Sequence, residues 1–377
     1  MRLIHTADWQ IGKAFASLPA EAATALKARR VGVVHDIGRL AMREGVDAVV
    51  VAGDVFEHNT VDEAYLRKTM DALDAYPVPW VLLPGNHDPA QPGSVWNRLQ
   101  RAQLVPNHVI LALTPAPLEL AGGRMVILPA PLTRGQDSRD PTAWFDAAES
   151  RPGARRVGLA HGSVTQLLPA EHRRIHPIDA GRARSARLDY LALGDWHSTM
   201  SVDARTWYAG TPEQDRFHGR DAGNVLLVDL ADGARATVTP HAIGYYSWSD
   251  LEQDLGSEQS IRALEARLSA LGEPARQVVS LRLSGGLPAR GRLELDEVIA
   301  RWQARLRVLR VHSEALGVSF EREDVDDLPP NGVIRATAEA LLRIQGDPEQ
   351  GERADAERAL LILLREYHQL EGGTDAR

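Results

Sequence analysis

Five short apolar runs in this chain each end in a carboxylate, an amide or an imidazole. Val49-Val50-Val51-Ala52 stops at Gly53 and is followed by Asp54. Leu3-Ile4-His5-Thr6-Ala7 leads into Asp8-Trp9-Gln10, and Trp80-Val81-Leu82-Leu83-Pro84 into Gly85-Asn86-His87-Asp88. Arg156-Val157-Gly158-Leu159-Ala160 reaches His161-Gly162-Ser163, and Tyr190-Leu191-Ala192-Leu193-Gly194 reaches Asp195-Trp196-His197. These are the side chains that hold divalent cations and move protons. One such ending is what any turn can show, since Gly and Asp are ordinary turn residues. Five together predict strand ends that converge on one polar, metal-ligating site. The chain has no cysteine, so a cation there must be held by His, Asp, Glu, Asn or Gln.

The elements that position these residues follow from periodicity. Short β-branched runs with no polar alternation read as strands buried on both faces, as in a parallel sheet whose ligands lie beyond the carboxyl ends of its strands. Between them, Ala22, Ala25, Leu26, Arg29, Val33 and Ile37 recur at helical spacing, as do Tyr65, Leu66, Met70 and Leu73. Residues 1–88 thus read β-α-β-α-β. Val109–Leu113, Leu118–Leu120 and Met125–Leu128 are short runs split by Pro and Gly, which predicts an antiparallel portion. Trp144 and Phe145 are expected in a helix. The segment 245–322 reads as a small α+β unit, with a helix over 257–271 and an alternating strand over 277–284. Two amphipathic helices are expected near 332–345 and 352–370. The predicted division is a catalytic unit over 1–242, a cap over 245–322 and terminal helices over 332–371.

The formal charge is −8 over 377 residues, which argues against a general polyanion binder. The acidity is uneven. Residues 1–240 carry 27 Asp and Glu against 26 Lys and Arg, and residues 241–377 carry 24 against 17. No apolar run approaches the about 18 residues that cross a bilayer, so no membrane role is expected. Arg2 already reads as strand, which leaves no room for a signal peptide, and a cytoplasmic location is expected.

Asp8-x-Gln10, Gly53-Asp54, Gly85-Asn86-His87-Asp88, His161-Gly162 and Gly194-Asp195-x-His197 resemble, in order, the motifs of the calcineurin-like metallophosphoesterases. The His-Thr-Ala-Asp start, Gly-Asp-Val-Phe, Leu-Gly-Asp-x-His and Tyr-x-Gly-Thr-Pro-Glu are similar to the Mre11/SbcD group of DNA repair nucleases. The resemblance implies an α/β fold, a four-layer αββα sandwich, and a site for two divalent cations. Such a pair, about 3.5–4 Å apart, can clamp a phosphodiester. It further implies Asp54 as the bridge, with Asp8, Gln10 and His197 completing the first position and Asn86, His161 and Asp195 the second. His87 would face the phosphate, and Asp88 would orient His87.

Three residues depart from the family pattern. Gln10 and Asp195 each stand where the motif has His, and Glu57-His58 stands where many of these nucleases carry a second catalytic His. The extra oxygen donors predict a preference for Mn²⁺, with Mg²⁺ possible, over Zn²⁺. Alternatively Gln10 does not ligate and the first position binds weakly. Arg173, Arg174, Arg182, Arg184 and Arg187 lie between two ligand-bearing strands and are candidates for DNA-backbone contact, or a plain solvated face. The expected function is a Mn²⁺-dependent two-metal DNA nuclease, cutting single strands internally, degrading 3′ to 5′, or both. The rivals are a small-molecule or cyclic-nucleotide phosphodiesterase and a binding module with a degenerate site. Expected partners are DNA, an ATPase of the SbcC/Rad50 kind at the terminal helices, and a second copy of the chain.

Overall fold

A computed structural model describes the chain except residues 166–174, 218, 220, 232–234, 321, 327, 331, 347–351 and 375–377. It forms two units, Met1–Trp248 and Ser249–Arg377.

In the first unit β1 (Arg2–Thr6), α1 (Ala20–Glu44), β2 (Ala48–Val51), α2 (Glu63–Asp74), β3 (Trp80–Leu82), α3 (Val95–Arg101) and β4 (Val109–Leu111) alternate as βαβ repeats. β5 (Leu118–Leu120), β6 (Met125–Ala130), β7 (Arg155–His161), β8 (Ser163–Val164), β9 (Pro177–Ile178), α4 (Arg182–Ser185), β10 (Tyr190–Gly194), β11 (Met200–Ser201) and β12 (Thr206–Tyr208) follow, then β13 (Asn224–Asp229) and β14 (Thr237–Ala242). Two six-stranded sheets result, ordered β14-β13-β1-β2-β3-β4 and β11-β12-β10-β7-β6-β5. β1 to β4 pair in parallel, as do β6, β7, β10 and β12.

Alternate residues of each run serve different layers. Ile4, Val49, Val51, Trp80 and Leu82 pack against α1 and α2, while Leu3, Ala48, Val50, Ala52 and Val81 meet Ile127, Val157, Leu159 and Tyr190 of the other sheet. Val126, Leu128, Leu191 and Leu193 face outward from the second sheet, onto Phe145, Ala183 and Leu188. This is the α/β sandwich that apolar runs without alternation demand: β2, β3, β6 and β10 are buried on both faces. Among the described residues the outer cover of the second sheet is slight, a short 3-10 turn at Ala143–Ala147 and α4. The helix expected at Trp144-Phe145 is that turn. The antiparallel portion expected after Val109 is smaller than predicted. β4 joins the first sheet parallel to β3, and only β5 and β6 pair antiparallel there.

In the second unit β15 (Ser247–Leu255), whose start precedes the division, β16 (Gln277–Pro288) and β17 (Val308–Ser319) form a sheet with β16 central. α5 (Glu258–Ser269) and α6 (Ala289–Gln303) pack on it through Ile261, Leu264, Leu268, Leu295, Val298 and Trp302. β16 is buried on both faces from Gln277 to Leu281, so its predicted half-exposure holds only further on. α7 (Arg322–Asp326), α8 (Val333–Gly346) and α9 (Arg353–Thr374) share a small core with Ala289. No helix among the described residues is long and apolar enough to cross a membrane.

Candidate metal centre

The functional side chains sit just past strand ends, where the chain turns sharply. Asp8, Gln10, Asp54 and Asp195 have φ of 53°, 43°, 52° and 99°. This region costs a non-glycine residue about 1–3 kcal/mol and persists only where surroundings enforce it. Here the β1–β2 pairing continues beyond the strands. Asp8 N donates to Gly53 O at 3.1 Å, Gln10 N to Asp54 O at 2.9 Å and Ile11 N to Val55 O at 2.9 Å. Glycines let the ends close on one another. A Cβ on Gly53 would stand 2.2 Å from His161 Nδ1, and one on Gly85 2.1 Å from Asp54 Oδ1.

Asp8, Asp54 and His161 are buried, with one donor atom of each within 4.8 Å of the others. Ala52 O, which can only accept, lies 2.8 Å from His161 Nδ1 and so takes its proton. Nε2 is left facing the centre as the nitrogen that a cation would bind in place of a proton. Around Nε2 stand Asn86 Oδ1 at 2.7 Å, Asp54 Oδ1 at 3.5 Å and Asp195 Oδ1 at 3.8 Å. Ser163 Oγ donates to the other Asp195 oxygen at 2.9 Å. Three of the four residues assigned to the second position, Asp54, Asn86 and Asp195, therefore gather with oxygen atoms around a nitrogen of the fourth, His161. Such a set fits a divalent cation of mixed oxygen and imidazole preference.

The first position is built differently. The two Asp8 oxygens accept from Asp195 N at 3.1 and 3.3 Å. Gln10 Nε2 lies 3.4 Å from His197 Nε2, while Gln10 Oε1 accepts from Lys13 Nζ at 3.1 Å. The two expected ligands are neighbours, but the Gln10 oxygen is turned to Lys13. Behind them Asp215, Lys13, Arg30 and Arg216 form a charged group that the sequence reading did not single out.

His87 lies beside Asp54 and is held otherwise than expected. Its Nε2 is 4.0 Å from Asp54 Oδ2, and its backbone N donates to Asp54 Oδ1 at 2.9 Å. Its Nδ1 donates to the carbonyl oxygen of Glu57 at 2.9 Å, so Asp88 does not orient the ring. Asp88 is buried and accepts from Gly85 N at 2.7 Å and Phe56 N at 2.9 Å, which ties the Gly85 and Asp54 turns together. His58 is exposed and bonds Thr60 Oγ1, away from the site. Trp9 packs on Trp80 in the core, and His5 is a core histidine.

The electrostatics ask for positive charge. Burial pushes the Asp8 carboxyl up to about 6, against the pull of His197 and His161, with Asp54 and Asp195 adding to the rise. Burial, with Asp54, pushes Asp88 up to about 7. Burial opposes the charge of His161, yet Asp54, Asp8 and Asp195 carry its pKa up to about 9. A proton shared among crowded carboxylates is what a bound cation replaces.

The arginine segment divides. Arg173 and Arg174 lie outside the described residues. Arg182 is buried, with its guanidinium on Asp140, Asp146 and Thr142, so it is not free to contact DNA. Its nine-residue separation from Arg173 gave no sign of this, because its partners lie about 40 residues upstream. Arg184 and Arg187 are exposed.

Strand-end carboxylates, an imidazole and an amide converging in a double-sheet α/β sandwich define the metal-dependent phosphoesterase class of hydrolases. Residues 1–176 match the family model described as calcineurin-like phosphoesterase, so the chain carries a domain of that family. Its curated relatives include the D-component of nuclease SbcCD from Rhodobacter capsulatus, 27% identical over 401 residues, covering 90% of this chain and 93% of the relative. The same nuclease component from Bacillus subtilis is 26% identical over 279 residues, covering 63% of this chain and 68% of the relative. Among solved structures, that of TT1561 of Thermus thermophilus is similar at 11% identity and a TM-score of 0.40, covering 63% of this chain and 98% of that one.

Proposed function

We propose that the chain is a Mn²⁺-dependent DNA nuclease of the Mre11/SbcD type. The observation that carries this is the gathering of Asn86, Asp54 and Asp195 around His161 Nε2, with Asp8 beside them. Likeness to relatives named as nuclease components, over most of the chain, supports DNA over a small phosphodiester as substrate. Asp54, Asn86, His161 and Asp195 would hold one cation, and Asp8, Gln10, Asp54 and His197 the other. When bound, the pair supplies Lewis acidity to the phosphoryl oxygens and a nucleophile at neutral pH.

The chain's own residues do the rest. His87, its Nδ1 fixed on Glu57 O, points Nε2 toward the Asp54 carboxylate and so toward the phosphate. There it can donate a hydrogen bond to the developing charge or a proton to the leaving oxygen. Five oxygen donors against two imidazoles support Mn²⁺ over Zn²⁺. Arg184 and Arg187, with Arg173 and Arg174, are the proposed backbone contacts. The terminal helices, which expose Val333, Ile334, Ile362 and Leu370, are the proposed docking site for an ATPase of the SbcC/Rad50 kind. A second copy of the chain and a cytoplasmic location complete the reading.

Circular single-stranded DNA in Mn²⁺ tests it. Cleavage that is lost in both His87→Ala and Asp54→Ala is the expected result. Shortening of a linear duplex alone assigns the exonuclease mode. Hydrolysis of a small phosphodiester with neither DNA touched overturns the nuclease reading.

A further inference from the structure

Asp215 belongs to none of the ligand motifs, yet its side chain is only 1% exposed beside them. Its Oδ1 lies 3.1 Å from Arg216 Nε and 3.4 Å from His197 Nδ1. Its Oδ2 lies 2.9 Å from Lys13 Nζ and 3.5 Å from Arg30 Nη2. Lys13 Nζ in turn donates to Gln10 Oε1 at 3.1 Å. One buried carboxylate thus reaches both residues that distinguish the first cation position: His197 directly, and Gln10 through Lys13.

His197 Nδ1 has a second neighbour, Arg216 Nη2 at 2.8 Å. The two neighbours ask for opposite tautomers. A guanidinium only donates, so an imidazole that accepts from Arg216 carries its proton on Nε2, where no cation can bind. A carboxylate only accepts, so an imidazole that donates to Asp215 leaves Nε2 free as a ligand. Arg216 is 56% exposed and can swing away, whereas the carboxylate is fixed by burial and by Lys13 and Arg30.

We infer that Asp215 is the positioning residue of the first cation position: it takes the Nδ1 proton of His197 and so presents Nε2 to the cation. Through Lys13 it also holds the Gln10 carboxamide in one orientation. The inference rests on the two-cation reading of the site. A histidine ligand with a carboxylate on its far nitrogen binds metal more tightly, and removal of that carboxylate costs about 10–100-fold in affinity.

The test counts Mn²⁺ by electron paramagnetic resonance during titration of the full chain and of Asp215→Asn. The wild type is expected to bind two. Asp215→Asn should keep one at unchanged affinity, the cation of Asp54, Asn86, His161 and Asp195, and weaken the other about 10–100-fold. A merely structural role would instead lower both affinities or neither. Two wild-type affinities in the variant overturn the inference alone. Fewer than two Mn²⁺ in the wild type overturn the two-cation reading and the inference with it. A readout on the unaltered chain guards against a variant that does not fold. In the ¹⁵N-labelled, Mg²⁺-loaded protein, with the signal assigned by His197→Gln, the His197 ring should carry its proton on Nδ1. A proton on Nε2 overturns the inference.

Discussion

A methyl group at Gly85 would lie 2.1 Å from Asp54 Oδ1 and 2.4 Å from Asp54 N. Neither atom can give way without moving the carboxylate around which the site is built. Gly85→Ala is therefore expected to lower phosphodiester hydrolysis at least about tenfold, the order seen when the support of a metal ligand is lost. Gly45→Ala is the contrast. Gly45 ends α1 at φ 59° with no atom within 4 Å of a new Cβ, so that change should cost about 1 kcal/mol of stability and leave hydrolysis intact. Equal activity in the two variants would refute the close-approach argument. At this scale the sequence was informative about residue types. The carboxylates, the amide and the imidazoles are where the apolar runs end. It was silent about partners. The group that orients His87 is the main-chain carbonyl of Glu57, which has no side-chain signature, and Asp88, the obvious candidate, is used to tie two turns. Nothing in the sequence singled out Ser163 or Asp215, because a single sequence does not separate a buried polar side chain from an exposed one.

The strand–turn elements were legible because a run such as Val49 to Ala52 has no alternation and must be buried on both faces. Helix α1 was legible as a helix but not in its details. Its periodicity suggested Arg29 on the apolar side, whereas the buried arginine is Arg30, in line with Leu26, Val33 and Ile37. Hydropathy cannot find such a residue, since its charge is satisfied by main-chain oxygens of other elements. Arg30 donates to Trp9 O at 2.6 Å, to Glu213 O at 3.1 Å and to Thr211 Oγ1 at 3.3 Å, and lies 3.5 Å from Asp215 Oδ2. It thereby fastens the helix to the turn that carries Asp8 and Gln10, and to the one that carries Asp215. Arg30→Met keeps much of the volume and strands these acceptors. Breaking one side of a buried charge network costs about 3–5 kcal/mol, so the denaturant midpoint should fall sharply. A midpoint within experimental error of the wild type would mean that the guanidinium contributes nothing beyond its packing.

Across the whole first unit, the two sheets are joined by apolar packing and, within it, by a buried polar link at His5. His5 in β1 meets β10 of the facing sheet, with Nδ1 2.9 Å from Tyr190 Oη and Nε2 3.1 Å from Leu193 O. The carbonyl can only accept, so Nε2 carries the proton and Nδ1 accepts from the tyrosine. A charged ring would have to leave the Tyr190 bond in a fully buried layer. Burial accordingly lowers the His5 pKa from 6.5 to about 3, against a small rise from the Leu193 bond. The folded state then stays unprotonated over a range in which the unfolded chain takes up a proton. Above the unfolded value the group has no effect on the pH dependence. Between about 6.5 and 3 stability falls with falling pH, by about 1.4 kcal/mol per unit, and below the folded value the loss levels off. Between pH 7 and pH 5 the link should therefore account for about 2 kcal/mol of lost stability. His5→Gln removes the titration while keeping a side chain that can bond both partners. Its thermal midpoint at pH 7 should lie near or below that of the wild type, and its drop to pH 5 should be the smaller of the two. An equal drop in both proteins would place the acid sensitivity elsewhere, in the carboxylates and imidazoles of the metal centre rather than between the sheets.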